Sequence, residues 1–169
     1  LPGPVPLHNV MADLVGSELP GEYLIVGGQI DSWDGATGTN DNGTGVSTTL
    51  EAARLLTKSG AKPKRTIRFM LWSGEEQGLL GSRAYIKAHP EENPKISAVL
   101  VHDGGTNYAS GLNATEAIAP IFEKVLQPLM TLDESMGFIV RKVPGLPRGI
   151  GSDHDSYLAA GVPGFFWLQ

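Results

Sequence analysis

Residues 72–82 read WSGEEQGLLGS, with Glu75 and Glu76 side by side in a loop of small residues. Two adjacent carboxylates repel, so a partner must hold them, and a cation is the simplest one. If one glutamate held a metal, its neighbour would be free to take a proton from a water bound to it. A solvated acidic loop is the ordinary alternative for an isolated pair. Acidic residues recur, however, after two other apolar runs. EYLIVGG at 22–28 gives way to QIDSWD, and ISAVLV at 96–101 gives way to HDGG. Asp41 lies in NDNGTG at 40–45, just before a helical pattern, where a helix N-cap is its commonplace role. Asp41, Glu76 and Asp103 become a candidate metal set only if a sheet brings these loop ends together.

The elements that must do so are legible. TIRFMLW at 66–72 is β-branched and aromatic, as a strand requires. The near-continuous apolar runs at 22–28 and 96–101 suit strands buried on both faces. A short strand is expected over 9–15. Helices are expected over 46–59, 79–88, 115–130 and 154–160, with Leu50, Ala53, Leu55 and Leu56 forming the buried face of the first. Further strands are expected over 138–143 and 164–168, with a Pro/Gly-rich loop at 144–152 between them. Alternating strands and helices predict an α/β layered fold, in which ligands bind beyond the carboxyl ends of the strands.

Composition sets outer bounds. The 169 residues fit one domain, spanning 1–169. The net charge of −5 with dispersed acids argues against a nucleic-acid partner. Cysteine is absent, which removes disulfides and thiolate metal ligands. No apolar run is long enough to cross a membrane as a helix. The opening LPGPVP reads as a linker without a signal-peptide pattern, which predicts residues missing upstream.

Four blocks, GGQIDSWDGATGTNDNGTG, RFMLWSGEEQGLLGS, VLVHDGG and GSDHDSYLAAGVPG, together resemble the co-catalytic zinc exopeptidases, the aminopeptidase family that includes the carboxypeptidase Q-like enzymes. The resemblance covers nearly the whole chain. It implies a three-layer sandwich, a mixed central sheet flanked by helices, and hydrolysis of terminal peptide bonds by a water activated between two zinc ions. It casts Glu75 as general base, Asp41 as the carboxylate bridging both metals, and Glu76 and Asp103 as their terminal ligands. Asp31 matches a carboxylate that orients a ligating histidine two residues earlier, a placement that fixes ligand tautomer and basicity. Trp33, Asp153, His154 and Tyr157 fall in blocks that border the substrate pocket, and for His154 that role outranks metal binding.

Two departures accompany the likeness. Gln29 stands where the family has a histidine, offering an amide in place of the imidazole nitrogen that zinc favours. The family's second histidine lies beyond the GVPG strand, and the closing C-terminal part is expected to be missing here. The resemblance thus predicts reduced or replaced zinc occupancy, weak or absent hydrolysis, and self-association through an uncovered C-terminal surface. A non-catalytic binding relative and a glutaminyl-cyclase-like acyl transferase are the alternatives. A secreted or periplasmic location follows from the resemblance alone.

Overall fold

The computed structural model describes residues 3–169; residues 1 and 2 of the expected linker lie outside them. The chain runs β1 (Val10–Leu14), β2 (Leu19–Gln29), α1 (Gly43–Lys58), β3 (Arg65–Trp72), α2 (Leu80–Ala88), β4 (Ile96–Val101), β5 (Gly111–Thr115), α3 (Ala119–Met130), β6 (Ile139–Val143), α4 (His154–Ala159) and β7 (Gly164–Leu168). The strands form one mixed sheet in the order β1-β3-β2-β4-β7-β5-β6. Strands β3, β2, β4 and β7 are parallel neighbours, β1 and β5 join antiparallel, and β6 pairs parallel with β5.

This order sets the site. From β2 the chain crosses through α1 to β3 on one side, then returns through α2 to β4 on the other. Strand direction of travel reverses at β2, and such a switch point leaves a crevice beyond the carboxyl ends of the strands. Gln29 ends β2, Trp72 ends β3 and Val101 ends β4, so the loops after them open on the same edge.

Apolar side chains of the central strands explain why this sheet is buried. Ile25, Met70, Trp72, Ile96, Val99 and Val101 pack with Tyr85, Tyr157 and Val162, and Trp72 meets Tyr157 edge-on at 5.9 Å. A second cluster joins Leu112, Ala114, Ala119 and Phe165, with Phe122 edge-on to Phe165 at 4.8 Å.

Helix α1 is rotated from the expected face. Leu50 and Leu55 are exposed, and the buried positions are Gly45 and Thr49. Gly45 sets the rotation: a Cβ there would lie 2.2 Å from the His102 carbonyl oxygen. The helix start must therefore press backbone against the end of β4, which turns Leu50 and Leu55 outward. Its N-cap is Asn42, whose Oδ1 accepts from Gly45 N, so the N-cap role considered for Asp41 falls one residue later. Strand β5 is not among the expected elements and takes up Thr115, the expected start of the third helix; α3 begins four residues later, at Ala119.

Candidate functional site

The Glu75–Glu76 loop is built by its neighbours. Gly74 adopts φ +70 and Leu79 φ +60, which turns the chain sharply between β3 and α2. Asp31, just past β2, accepts from Glu75 N (3.1 Å) and Glu76 N (3.2 Å). One carboxylate thus holds both backbone amides and fixes where the two glutamates point. This clamp is the role the structure gives Asp31.

Burial and charge raise the acids here. Glu75 is 7% exposed. Burial pushes its carboxyl up to about 8, reinforced by the Asp103, Asp153, Glu76 and Asp31 carboxylates. Glu76 is pushed up by burial and by Asp41, Asp31 and Asp103. Asp103 rises to about 6 through burial, opposed by the hydrogen bond from Gln29. Like charges crowded in a poorly solvated cleft favour their neutral forms.

Gln29, 1% exposed, sits among these acids. Its Nε2 donates to Asp41 Oδ1 at 3.0 Å and to Asp103 Oδ1 at 2.9 Å. Its Oε1 accepts from Asn42 Nδ2 at 2.7 Å, and the same Nδ2 donates to the His102 carbonyl at 2.9 Å. Asn42 escaped the sequence reading because an Asn in an NDNG run looks like turn chemistry. Its contacts reach across the sheet to residues that local sequence cannot place.

Asp41 and Asp103 therefore meet across the Gln29 amide, and Glu76 lies near enough to feel both carboxylates. Among the described residues, no three His, Cys, Asp or Glu side chains form a group that could hold a metal ion. Glu76 Oε1 is buried without a hydrogen-bond partner, a feature that a cation would satisfy. The Gln29 N–H groups, however, occupy the approach to Asp41 and Asp103. Zinc takes nitrogen or sulfur lone pairs and carboxylate oxygens, and position 29 presents donors instead. The residues at this position do not fit the expected pair of zinc ions.

An open cavity of about 570 Å³ adjoins the glutamates, lined in part by Trp33, Glu75, Glu76, Arg83, Arg148 and Asp155. Trp33 is 61% exposed on its wall, placed there rather than in the core. Asp153, His154 and Tyr157 are buried and do not line this cavity. Tyr157 packs on Trp72 and His154 on Phe166, at 5.9 and 5.5 Å between rings. Burial pushes Asp153 up to about 7, with the Asp103 and Asp31 carboxylates adding to the rise. The charge of Asp153 bears on the Glu75 carboxylate. His102 is half-buried beside the site, its Nε2 3.0 Å from Gln169 Nε2.

Comparison with known proteins places this architecture. Residues 9–167 match the family model described as Peptidase family M28, and the chain belongs to that family. Carboxypeptidase Q of Xenopus laevis is 36% identical over 174 residues, covering 96% of this chain and 35% of that protein. Carboxypeptidase Q of Homo sapiens is also 36% identical, covering 92% of this chain and 32% of its own. The chain thus spans about a third of the length of the curated relatives it matches. A Peptidase M28 precursor from Shewanella amazonensis superposes over 95% of this chain and 35% of its own, with a TM-score of 0.81 and 31% identity. BSAP, a zinc aminopeptidase from Bacillus subtilis, covers 95% of this chain and 39% of its own at 0.72 and 25%. The mixed sheet with flanking helices is the M28 fold, shared with peptidase and zinc aminopeptidase structures.

Proposed function

We propose that this chain carries the substrate cleft and proton-transfer residue of an exopeptidase acting on short peptides, of aminopeptidase or dipeptidase type. Family membership supports the reaction class. The observation that carries the reading is Glu75: a buried carboxyl, raised to about 8, on the wall of an open cavity beyond the end of β3. A general base or acid works best with its pKa near the working pH. Asp31 fixes the Glu75 backbone, so the proton is exchanged at one defined place. Trp33 gives the cavity an apolar wall against which a terminal side chain would pack. In this chain hydrolysis is weak, since position 29 is turned away from metal binding. A secreted or periplasmic setting is proposed with this reading.

A non-catalytic peptide-binding relative is the second reading, and Gln29 favours it. Likeness to a glutaminyl cyclase from an Acidobacteriales bacterium, at 16% identity and a TM-score of 0.71, concerns the fold alone. A panel of aminoacyl anilides, dipeptides with free termini and end-blocked peptides separates these outcomes. Slow cleavage confined to free-ended substrates, and lost in Glu75→Gln, is expected. Peptide binding without cleavage would install the second reading. Neither binding nor cleavage, or cleavage of end-blocked peptides, would overturn the first.

A further inference from the structure

We infer that the Gln29 amide takes the place of a cation between Asp41 and Asp103, so that this part of the cleft is assembled without metal. The argument starts from two backbone groups whose polarity is fixed. Gly45 N–H can only donate, so the Asn42 atom 3.0 Å away is Oδ1. The other Asn42 atom is then Nδ2, and it faces the His102 carbonyl at 2.9 Å, which can only accept. Both backbone groups give the same orientation. The Gln29 atom 2.7 Å from Asn42 Nδ2 must accept, so it is Oε1. Nε2 is left facing Asp41 Oδ1 and Asp103 Oδ1 at 3.0 and 2.9 Å. Polarity set by the backbone at Gly45 and His102 is thus passed through two amides to position 29.

The seat is sealed. Gln29 and Asn42 are each 1% exposed. A Cβ on Gly28 would lie 2.8 Å from Asn42 Nδ2, and one on Gly45 would lie 2.5 Å from it. Two glycines therefore leave the Asn42 amide just the room it uses. A ligating atom needs a lone pair aimed at the ion, whereas Nε2 aims two N–H groups at the two carboxylates. Those hydrogens do for the carboxylates what positive charge between them would do, and charge-assisted hydrogen bonds of this kind are among the stronger ones. A neutral imidazole could not replace the group, because no single nitrogen of it carries two N–H bonds. The inference goes beyond the proposed peptidase reading and does not depend on hydrolysis.

The experiment is zinc chloride titration of the 169-residue chain by calorimetry, with melting temperatures taken in chelator and in excess zinc. The chain itself should show no site-specific zinc binding and the same melting temperature in both. Asn42→Asp leaves position 29 untouched but replaces the donor that fixes its orientation. Gln29 should then turn over, donate to the new carboxylate and present Oε1 to Asp41 and Asp103. Three oxygens would face one another, and zinc affinity should rise at least about 10-fold, with a melting temperature that increases with zinc. Gln29→Glu removes the same N–H groups by another route, and should gain zinc affinity even if Asn42→Asp fails to fold. Tight, stoichiometric zinc on the original chain would overturn the inference while leaving the peptidase reading intact. So would a folded variant of either kind that gains no affinity. Peptide binding and cleavage are not read here, so failure of one proposal does not mimic failure of the other.

Discussion

At the scale of single residues, burial and crowding raise the carboxyls of Glu75, Glu76, Asp103 and Asp153 above their ordinary range. Glu75, held near 8, must lose its proton to act as a base, so any hydrolysis should rise with pH through about 8. A rate-against-pH profile would show that limb, and Glu75→Gln should lower the rate by at least about 100-fold. Asp153 tests the same physics without touching the cavity. In the unfolded chain it ionises near 3.8, and in the fold near 7. Between those values the folded chain holds a proton that the unfolded chain has lost, so this group makes stability fall as pH rises across the window. Asp153→Asn should flatten that fall and stabilise the protein at pH 8 by up to about 4 kcal/mol. Urea midpoints at pH 5 and pH 8 for both proteins measure it. The types and order of Gln29, Asp31, Asp41, Glu75, Glu76 and Asp103 were legible in the sequence. Which way the Gln29 amide faces was not, because it depends on a carbonyl of His102 across the sheet.

At the scale of elements, strand β1 is held by a buried guanidinium. Arg68 on β3 donates to both Asp13 oxygens at 2.8 Å and to Glu92 at 3.0 and 3.1 Å. It lies 4.3 Å from the centre of the Tyr23 ring and also donates to Tyr85 on α2. One side chain so ties β1, β2, β3 and α2 together. Arg68→Met would leave Glu92 poorly solvated and without its countercharge, with the Tyr85 hydroxyl still donating to it, and should cost about 3 kcal/mol. Asp13→Asn, at a more exposed carboxylate, should cost about 1 kcal/mol; denaturant titration of the two variants checks the ranking. An Arg amid TIRFMLW reads as an outward residue on an alternating strand, so its burial was not foreseeable locally. Strands β2, β3, β4 and β7 were legible because apolar runs flanked by glycine mark buried parallel strands. GLNAT in β5 lacks that mark: it becomes a strand only because β6 and β7 flank it.

At the scale of the whole molecule, apolar surface is distributed unevenly. Ile121, Val125 and Leu129 are 63%, 66% and 42% exposed, at spacings that align them along α3, and Leu132, just past the helix end, is 78% exposed. Near the end of that helix an apolar cavity of about 400 Å³ is lined by Leu129, Leu132, Met136, Phe138 and Trp167 among others. Contiguous apolar surface of this kind favours association. The chain should therefore self-associate with rising concentration in sedimentation experiments, and Ile121→Glu with Val125→Glu should return it to monomer without changing the fold. A concentration-independent monomer would show that this surface stays open to water.

The Gln29 bridge also says when the cleft can form. Asp41 is 12 residues from Gln29 in sequence, but Asp103 is 74 away. The repulsion between the acids and its relief both require β4 to be docked on β2. Substitutions at Gln29 should leave the refolding rate nearly unchanged and act almost wholly on the rate of escape from the native state. In kinetic terms the bridge is a latch that closes behind the sheet, and its strength would be read from the unfolding limb of a chevron plot.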